Sequence, residues 1–164
     1  MASRQGDLYI AKFLLGCGID VDIRHGYGQT PLYSTSGNGK LDVVRFLIDQ
    51  GANIHIEDNN NSSPLHIASL NGCLDVMKLI INTGTPVDVR NGTQKTLSLA
   101  SSEGKDDVGC FLIGRGANLN MQDNQSQAPL HRASQHGHLD MARLLLDHGV
   151  DPNIKRNDLS SSYI

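Results

Sequence analysis

Residues 131–138 read His131-Arg132-Ala133-Ser134-Gln135-His136-Gly137-His138, so three of the chain's seven histidines fall within eight residues. Imidazole is the commonest metal ligand and the side chain most ready to titrate near neutral pH. The stretch therefore raises three possibilities: a metal site, a catalytic cluster, or histidines in structural use. A zinc site needs three or four converging ligands, and no H-E-x-x-H spacing occurs. On a helix, His131 and His136 are about 500° apart at ~100° per residue, so they point to different sides. Structural use is the expectation, with no metal.

The other reactive groups are equally dispersed. Cys17, Cys73 and Cys110 are odd in number and far apart, with no CxxC pair. Neither a zinc ribbon nor a disulfide framework follows, and free thiols in a reducing compartment fit better. Cys73, just after a helix break, is the one conceivable reactive thiol; a partly buried neutral thiol is preferred. The pairs GCG, GYG and GNG lack the spacing of a phosphate-binding loop. No Ser sits in a G-x-S-x-G elbow. No enzyme activity, catalytic residue or cofactor is expected.

Composition bounds the class. The chain has 164 residues, enough for one domain with a real core. Aromatics make up only 4%, without Trp, so the core should rest on Leu, Ile, Val and Ala. A net charge of −3 gives no basic field for nucleic acid or anionic lipid. The apolar run from Tyr9 to Gly18 is short, broken by Lys12 and without a basic flank. Neither a signal peptide nor a membrane span is expected, and an intracellular, cytoplasmic location is. The Asn-x-Ser/Thr matches are then coincidences of an Asn-rich chain.

What positions these residues is a repeat. Gly18, Gly51, Gly84, Gly116 and Gly149 recur at steps of 33, 33, 32 and 33, each closing a leucine-rich stretch. TPLYSTSGNG (30–39), SPLHIASLNG (63–72), KTLSLASSEG (95–104) and APLHRASQHG (128–137) align end to end. Thr30 suits an N-cap and Pro31 the first turn, where no N–H is needed. Small residues follow in every copy, Ser36, Ser69, Ser101 and Ser134 among them, letting neighbouring helices approach closely. A glycine breaks each first helix at 39, 72, 104 and 137. The second helix of that copy, with Leu41, Val44, Phe46, Leu47 and Ile48 among Asp42, Arg45 and Asp49, is amphipathic. Polar segments between copies, DNNNSS included, read as turns. Such a unit cannot bury both faces alone, and stacking supplies the missing core.

APLHRAS and SPLHIAS, with GANIH and GANLN after the second helices, resemble the ankyrin repeat family and its T-P-L-H-x-A signature. TPLYSTS keeps three positions and KTLSLAS matches least. The resemblance implies an all-α solenoid of helix-turn-helix pairs joined by β-turn or hairpin loops. The array spans 6–158: a partial unit at 6–24, full units at about 25–57, 58–90, 91–122 and 123–155, and a polar tail at 159–164. His131 then occupies the signature His position, where the copies carry Tyr33, His66 and Ser98; His136 and His138 fall in two other roles.

The resemblance also implies a protein–protein interaction module. The alternative is a regulatory or substrate-recruiting segment of a larger enzyme or receptor. The partner is another protein, with no nucleic acid or membrane, met by turn tips and the concave face of the first helices. Carried over copy by copy, those positions are Tyr27, Gln29 and Asn38; Asn60, Ser62, Leu70 and Asn71; Gln94, Ser102 and Glu103; and Gln125, Gln127, Gln135 and His136. Tyr27, Tyr33 and Leu70 are the expected anchors, unless Tyr33 only replaces the signature His inside the stack. The remainder is amide- and hydroxyl-rich, so salt should affect association mildly.

Unit 91–122 departs most: Thr96 stands where Pro is found, the preceding turn is one residue short, and Gly109 and Gly114 enter its second helix. An exposed interior glycine costs about 1 kcal/mol against Ala, so faster amide exchange is expected there. Neither end shows a polar capping unit, so a segment of a longer array with end-to-end self-association is also expected.

Overall fold

The computed structural model describes residues 8–89 and 95–155; Gln94 and the outermost residues of the chain lie outside the described set. Nine helices succeed one another among the described residues. Helix α1 (Leu8–Gly16) is followed by four pairs: α2 (Pro31–Gly37) with α3 (Leu41–Asp49), α4 (Pro64–Asn71) with α5 (Leu74–Asn82), α6 (Thr96–Ser102) with α7 (Asp106–Gly114), and α8 (Pro129–His136) with α9 (Leu139–Asp147). The fold is the expected all-α repeat. The links close as tight turns: Asp58 N–H donates to Ser62 O at 2.9 Å and Asp123 N–H to Gln127 O at 3.0 Å.

Local chemistry starts and stops each helix. The Thr30 hydroxyl accepts from Tyr33 N–H at 3.1 Å, and Pro31, Pro64 and Pro129 open their helices where no donor is required. Thr96 substitutes for that proline by another device: its hydroxyl donates to the carbonyl of Val87, tying the helix start to the incoming chain. Ser69 Oγ then donates across the unit boundary to Thr96 O at 2.7 Å. The first helices end at glycines with φ of +59° to +76°, and those after the second helices have φ of +83° to +100°. That left-handed backbone is one only glycine enters freely.

The core is a set of columns running along the array. First helices contribute Leu32, Leu65 and Leu97; second helices contribute Val43, Val76, Val108 and Met141, then Leu47, Ile80, Leu112 and Leu145. All are at most 2% exposed. Each buried aliphatic side chain contributes about 1.5–3 kcal/mol relative to exposure. Thr35, Ala68, Ala100 and Ala133 are fully buried. Their small size lets first helices pack more closely on one another than second helices do, and an array bends toward its closer-packed layer.

A side-chain ladder links the loops. Asp22 accepts from Asn53 N–H at 3.1 Å, Asp88 from Asn118 N–H at 3.2 Å, and Asn120 Oδ1 from Asp151 N–H at 3.1 Å. The rung between is absent on both sides at once: Pro86 has no N–H to give, and His55 stands where the acceptor would be.

Gly109 is buried, not exposed. A Cβ there would lie 2.7 Å from Met141 Cε and 2.9 Å from its Sδ. The longer Met141, where other units carry Val43, Val76 and Val108, fills the space that Gly109 leaves. Part of the helix-propensity cost expected of this glycine is thus offset by packing.

Candidate functional site

Three side chains at the signature position face three different environments. His66 is fully buried. Its Nδ1 accepts from Ser63 N–H at 3.1 Å, and its Nε2–H donates to Val89 O at 3.1 Å at the far end of the same unit. Burial holds this imidazole below its ordinary pKa. Tyr33 is 7% exposed; its hydroxyl lies close to Ser62 and Asp58 of the next unit, and burial pushes the phenol up. Ser98 is too short for either task, and its hydroxyl has no hydrogen-bond partner.

The buried aspartates answer those differences. Asp58 accepts Asn60 N–H at 2.9 Å and Ser62 N–H at 3.0 Å, with the Tyr33 hydroxyl close by. Asp123, in the same register, accepts Gln125 N–H at 2.8 Å and Gln127 N–H at 2.9 Å. No tyrosine reaches it; Arg132 does, with Nε 2.9 Å from Oδ2 and Nη2 on the same oxygen. The Asp123 side chain is wholly buried and that of Arg132 nearly so. Sequence reasoning missed this pair. Its signal was present: an arginine where the other copies have Ser34, Ile67 and Leu99.

The opening histidines sort by contact. His131 Nδ1 accepts from Ala128 N–H at 3.1 Å. His136 Nδ1 donates to Arg132 O at 2.9 Å, and His138 Nε2 donates to Ser102 O at 3.0 Å in the preceding unit. Expected in separate roles, His136 and His138 in fact stack, with ring centroids 6.3 Å apart. Among the described residues no group of three or more His, Cys, Asp or Glu side chains is placed to hold a metal ion. Cys73 is half-buried, with Sγ 3.6 Å from Gly37 O. Burial pushes its thiol up, away from the reactive thiolate.

On the surface, Tyr27 projects from a turn tip, 75% exposed, with its ring edge-on to His25 at 5.8 Å. Leu70 and Ser62 are half-buried, and Asn38, Asn60, Asn71, Glu103, Gln125, Gln135 and His136 are exposed. Tyr33, Ser102 and Gln127 are each at most 8% exposed. Their side chains serve the stack: Ser102 Oγ, for example, donates to Leu99 O at 2.9 Å.

The structure brings four of the expected residues together. Gln29, Tyr33, Asn38 and Asn71 line a depression of about 170 Å³ with Ser34, Gly37 and Ile67. Its floor is close-packed: Gly37 stands where the next units have Leu70, Ser102 and Gln135, and a Cβ there would lie 2.7 Å from Ile67 Cγ1. Asn38 Nδ2 donates to Ser34 O at 2.6 Å and Asn71 Nδ2 to Gly37 O at 2.7 Å, so both amide oxygens turn outward.

A family model described as ankyrin repeats (3 copies) matches residues 1–91, more than half of the chain. The chain belongs to the ankyrin repeat family. A second model, ankyrin repeats (many copies), matches residues 113–164. Between the two lie α6 and all but the last two residues of α7, the helices of the most divergent unit. Three relatives carry the same name in full or in part. A putative ankyrin repeat-containing protein of Treponema pallidum is 38% identical over 42% of this chain and 23% of its own length. The ankyrin repeat-containing protein P1E11.10 of Schizosaccharomyces pombe is 33% identical over 40% of this chain and 32% of its own. An ankyrin repeat and LEM domain-containing protein 1 homolog of Caenorhabditis elegans is 43% identical over 34% of this chain and 8% of its own. The matched stretch thus spans less than a third of each relative.

Ankyrin repeats are generally protein–protein interaction modules, typically without enzymatic activity. This ankyrin array presents an amide-lined surface, and no described helix is long and apolar enough to cross a membrane.

Proposed function

We propose that this ankyrin array binds a partner protein through its turn tips and the inner face of its first helices, centred on the first two full units. The observation that carries this reading is exposed Tyr27, whose ring meets His25, which hydrogen-bonds Gln29 at 3.0 Å in the wall of the amide-rimmed depression. An aromatic anchor beside fixed polar groups is the usual composition of an interface centre. Tyr27 and Leu70 are the anchors; Tyr33 supplies the wall. Glu103 is the one carboxylate at the expected contact positions, so hydrogen bonding dominates and salt dependence is mild.

A partner identified by pull-down and mass spectrometry supplies the test. Calorimetry of Tyr27→Ala with Leu70→Ala should show affinity weakened by about tenfold or more. A second-helix control, Lys78→Ala with Arg143→Ala, should leave it unchanged. Equal affinities for both double variants would remove the proposed surface. A regulatory or substrate-recruiting segment of a larger enzyme or receptor is the second reading. The nematode relative, whose name joins ankyrin repeats to a LEM domain, supports only the part of it that sets such repeats beside another domain.

A further inference from the structure

We infer that the depression between α2 and α4 is a receptor for an arginine side chain of the partner; this rests on the inner-face reading above and names what that face selects. The argument starts from hydrogen-bond polarity. The Asn38 and Asn71 amide groups are each committed, donor side inward, to the carbonyls of Ser34 and Gly37. The reverse orientation would set oxygen against oxygen. Each amide thus keeps its oxygen as a fixed acceptor, beside one remaining N–H, and the paired oxygens suit a ligand rich in N–H donors.

Charge narrows the choice. Close to the Tyr33 hydroxyl lies Asp58, 5% exposed and without an ion-pair partner among the described residues. The same register at Asp123 is neutralised from within by Arg132, whereas unit two offers Ile67 there. A buried carboxylate without an ion pair, close to the Tyr33 wall of the depression, favours a cation. The flat, donor-rich guanidinium suits paired acceptors better than a compact ammonium, and its apolar stem matches Ile67 and the Tyr33 ring in the wall.

The test is a nuclear magnetic resonance titration of the whole chain with blocked tripeptides: acetyl-Gly-Arg-Gly-amide, and its Lys, Leu and Glu counterparts. The arginine peptide should give saturable shifts of the Asn38 and Asn71 side-chain amides and the Ile67 methyls. Lysine should bind more weakly, and Leu and Glu should give no saturable shifts. Asn38→Leu should weaken the arginine peptide about fivefold or more, with Asn71→Ala as the equivalent variant should the first fail to fold. Asp58→Asn should weaken it about twofold to threefold. Shifts that do not saturate, that appear equally with the leucine peptide, or that survive Asn38→Leu and Asn71→Ala overturn the inference. It fails alone if Tyr27→Ala with Leu70→Ala still weakens the identified partner.

Discussion

The boundary between units one and two and that between units three and four solve one problem with opposite parts. Each buries an aspartate at the start of a turn, and each satisfies it with two backbone N–H groups. At Asp58 the third group alongside is a neutral hydroxyl reaching forward from Tyr33. At Asp123 the preceding unit offers only Ser98, and Arg132 of the same unit supplies the third partner instead. The first solution links neighbouring units but leaves a buried charge uncompensated. The second neutralises the charge but leaves the unit boundary with one tie fewer. A repeat keeps its turn as long as the aspartate is served; who serves it is free to change.

The largest effect expected of breaking this contrast is Arg132→Leu. Removing one member of a buried pair leaves the other unpaired and costs about 3–5 kcal/mol, read as a lower urea midpoint. Adding Ser98→Tyr to that variant rebuilds the arrangement of the first boundary and should recover a substantial part of the loss. No recovery would mean that the two solutions are not interchangeable.

Gly109→Val should cost about 1–3 kcal/mol by overpacking Met141. Met141→Val in the same chain should relieve it; a double-mutant cycle that closes without coupling would deny that the two residues share one space. Tyr33→Phe should cost about 1–2 kcal/mol, because Asp58 loses the hydroxyl beside it.

The middle boundary adds a pH readout. His66 is neutral in the fold and its pKa is lowered by burial, so the unfolded chain binds the proton more readily. Its contribution is fully present above the unfolded value near 6.5 and is lost as pH falls from there toward the lowered folded value. Urea unfolding of His66→Tyr should show a flatter decline below pH 6.5 than the parent protein.

The smallest effect is a gain. Asn61 and Ser126 hold φ of +58° and +56° at the turn position that Gly28 fills with +75°. Ser126→Gly should stabilise by about 0.5–1 kcal/mol, and Asn61→Gly by less, since Asn tolerates this region. Equal thermal midpoints for parent and Ser126→Gly would show the strain to be relieved by its surroundings.

Much of the fold was legible because its signals are local and repeated. Thr30, the prolines and the glycine columns act within a few residues of where they stand, so spacing alone located helix starts and ends. The candidate site was legible only in part. Copy-by-copy reading found Gln29, Asn38 and Asn71, but gave Tyr33, Ser102 and Gln127 the same standing as exposed residues. It also passed over Ile67, Ser34 and Gly37, because a depression is made by what is missing between two units. Gly109 was misread for the same reason: whether a glycine is a weakness or a socket depends on Met141, 32 residues away.

By itself, the order of residues determined a stack of helical pairs, their period, and the family to which the chain belongs, since periodic apolar positions and turn formers act at short range. Tertiary structure alone decided which partner each buried group found: hydroxyl or guanidinium on the aspartates, sulfur over the glycine, amide oxygens turned to solvent. Those outcomes depend on distances across unit boundaries, where one side chain's length sets the space left for another.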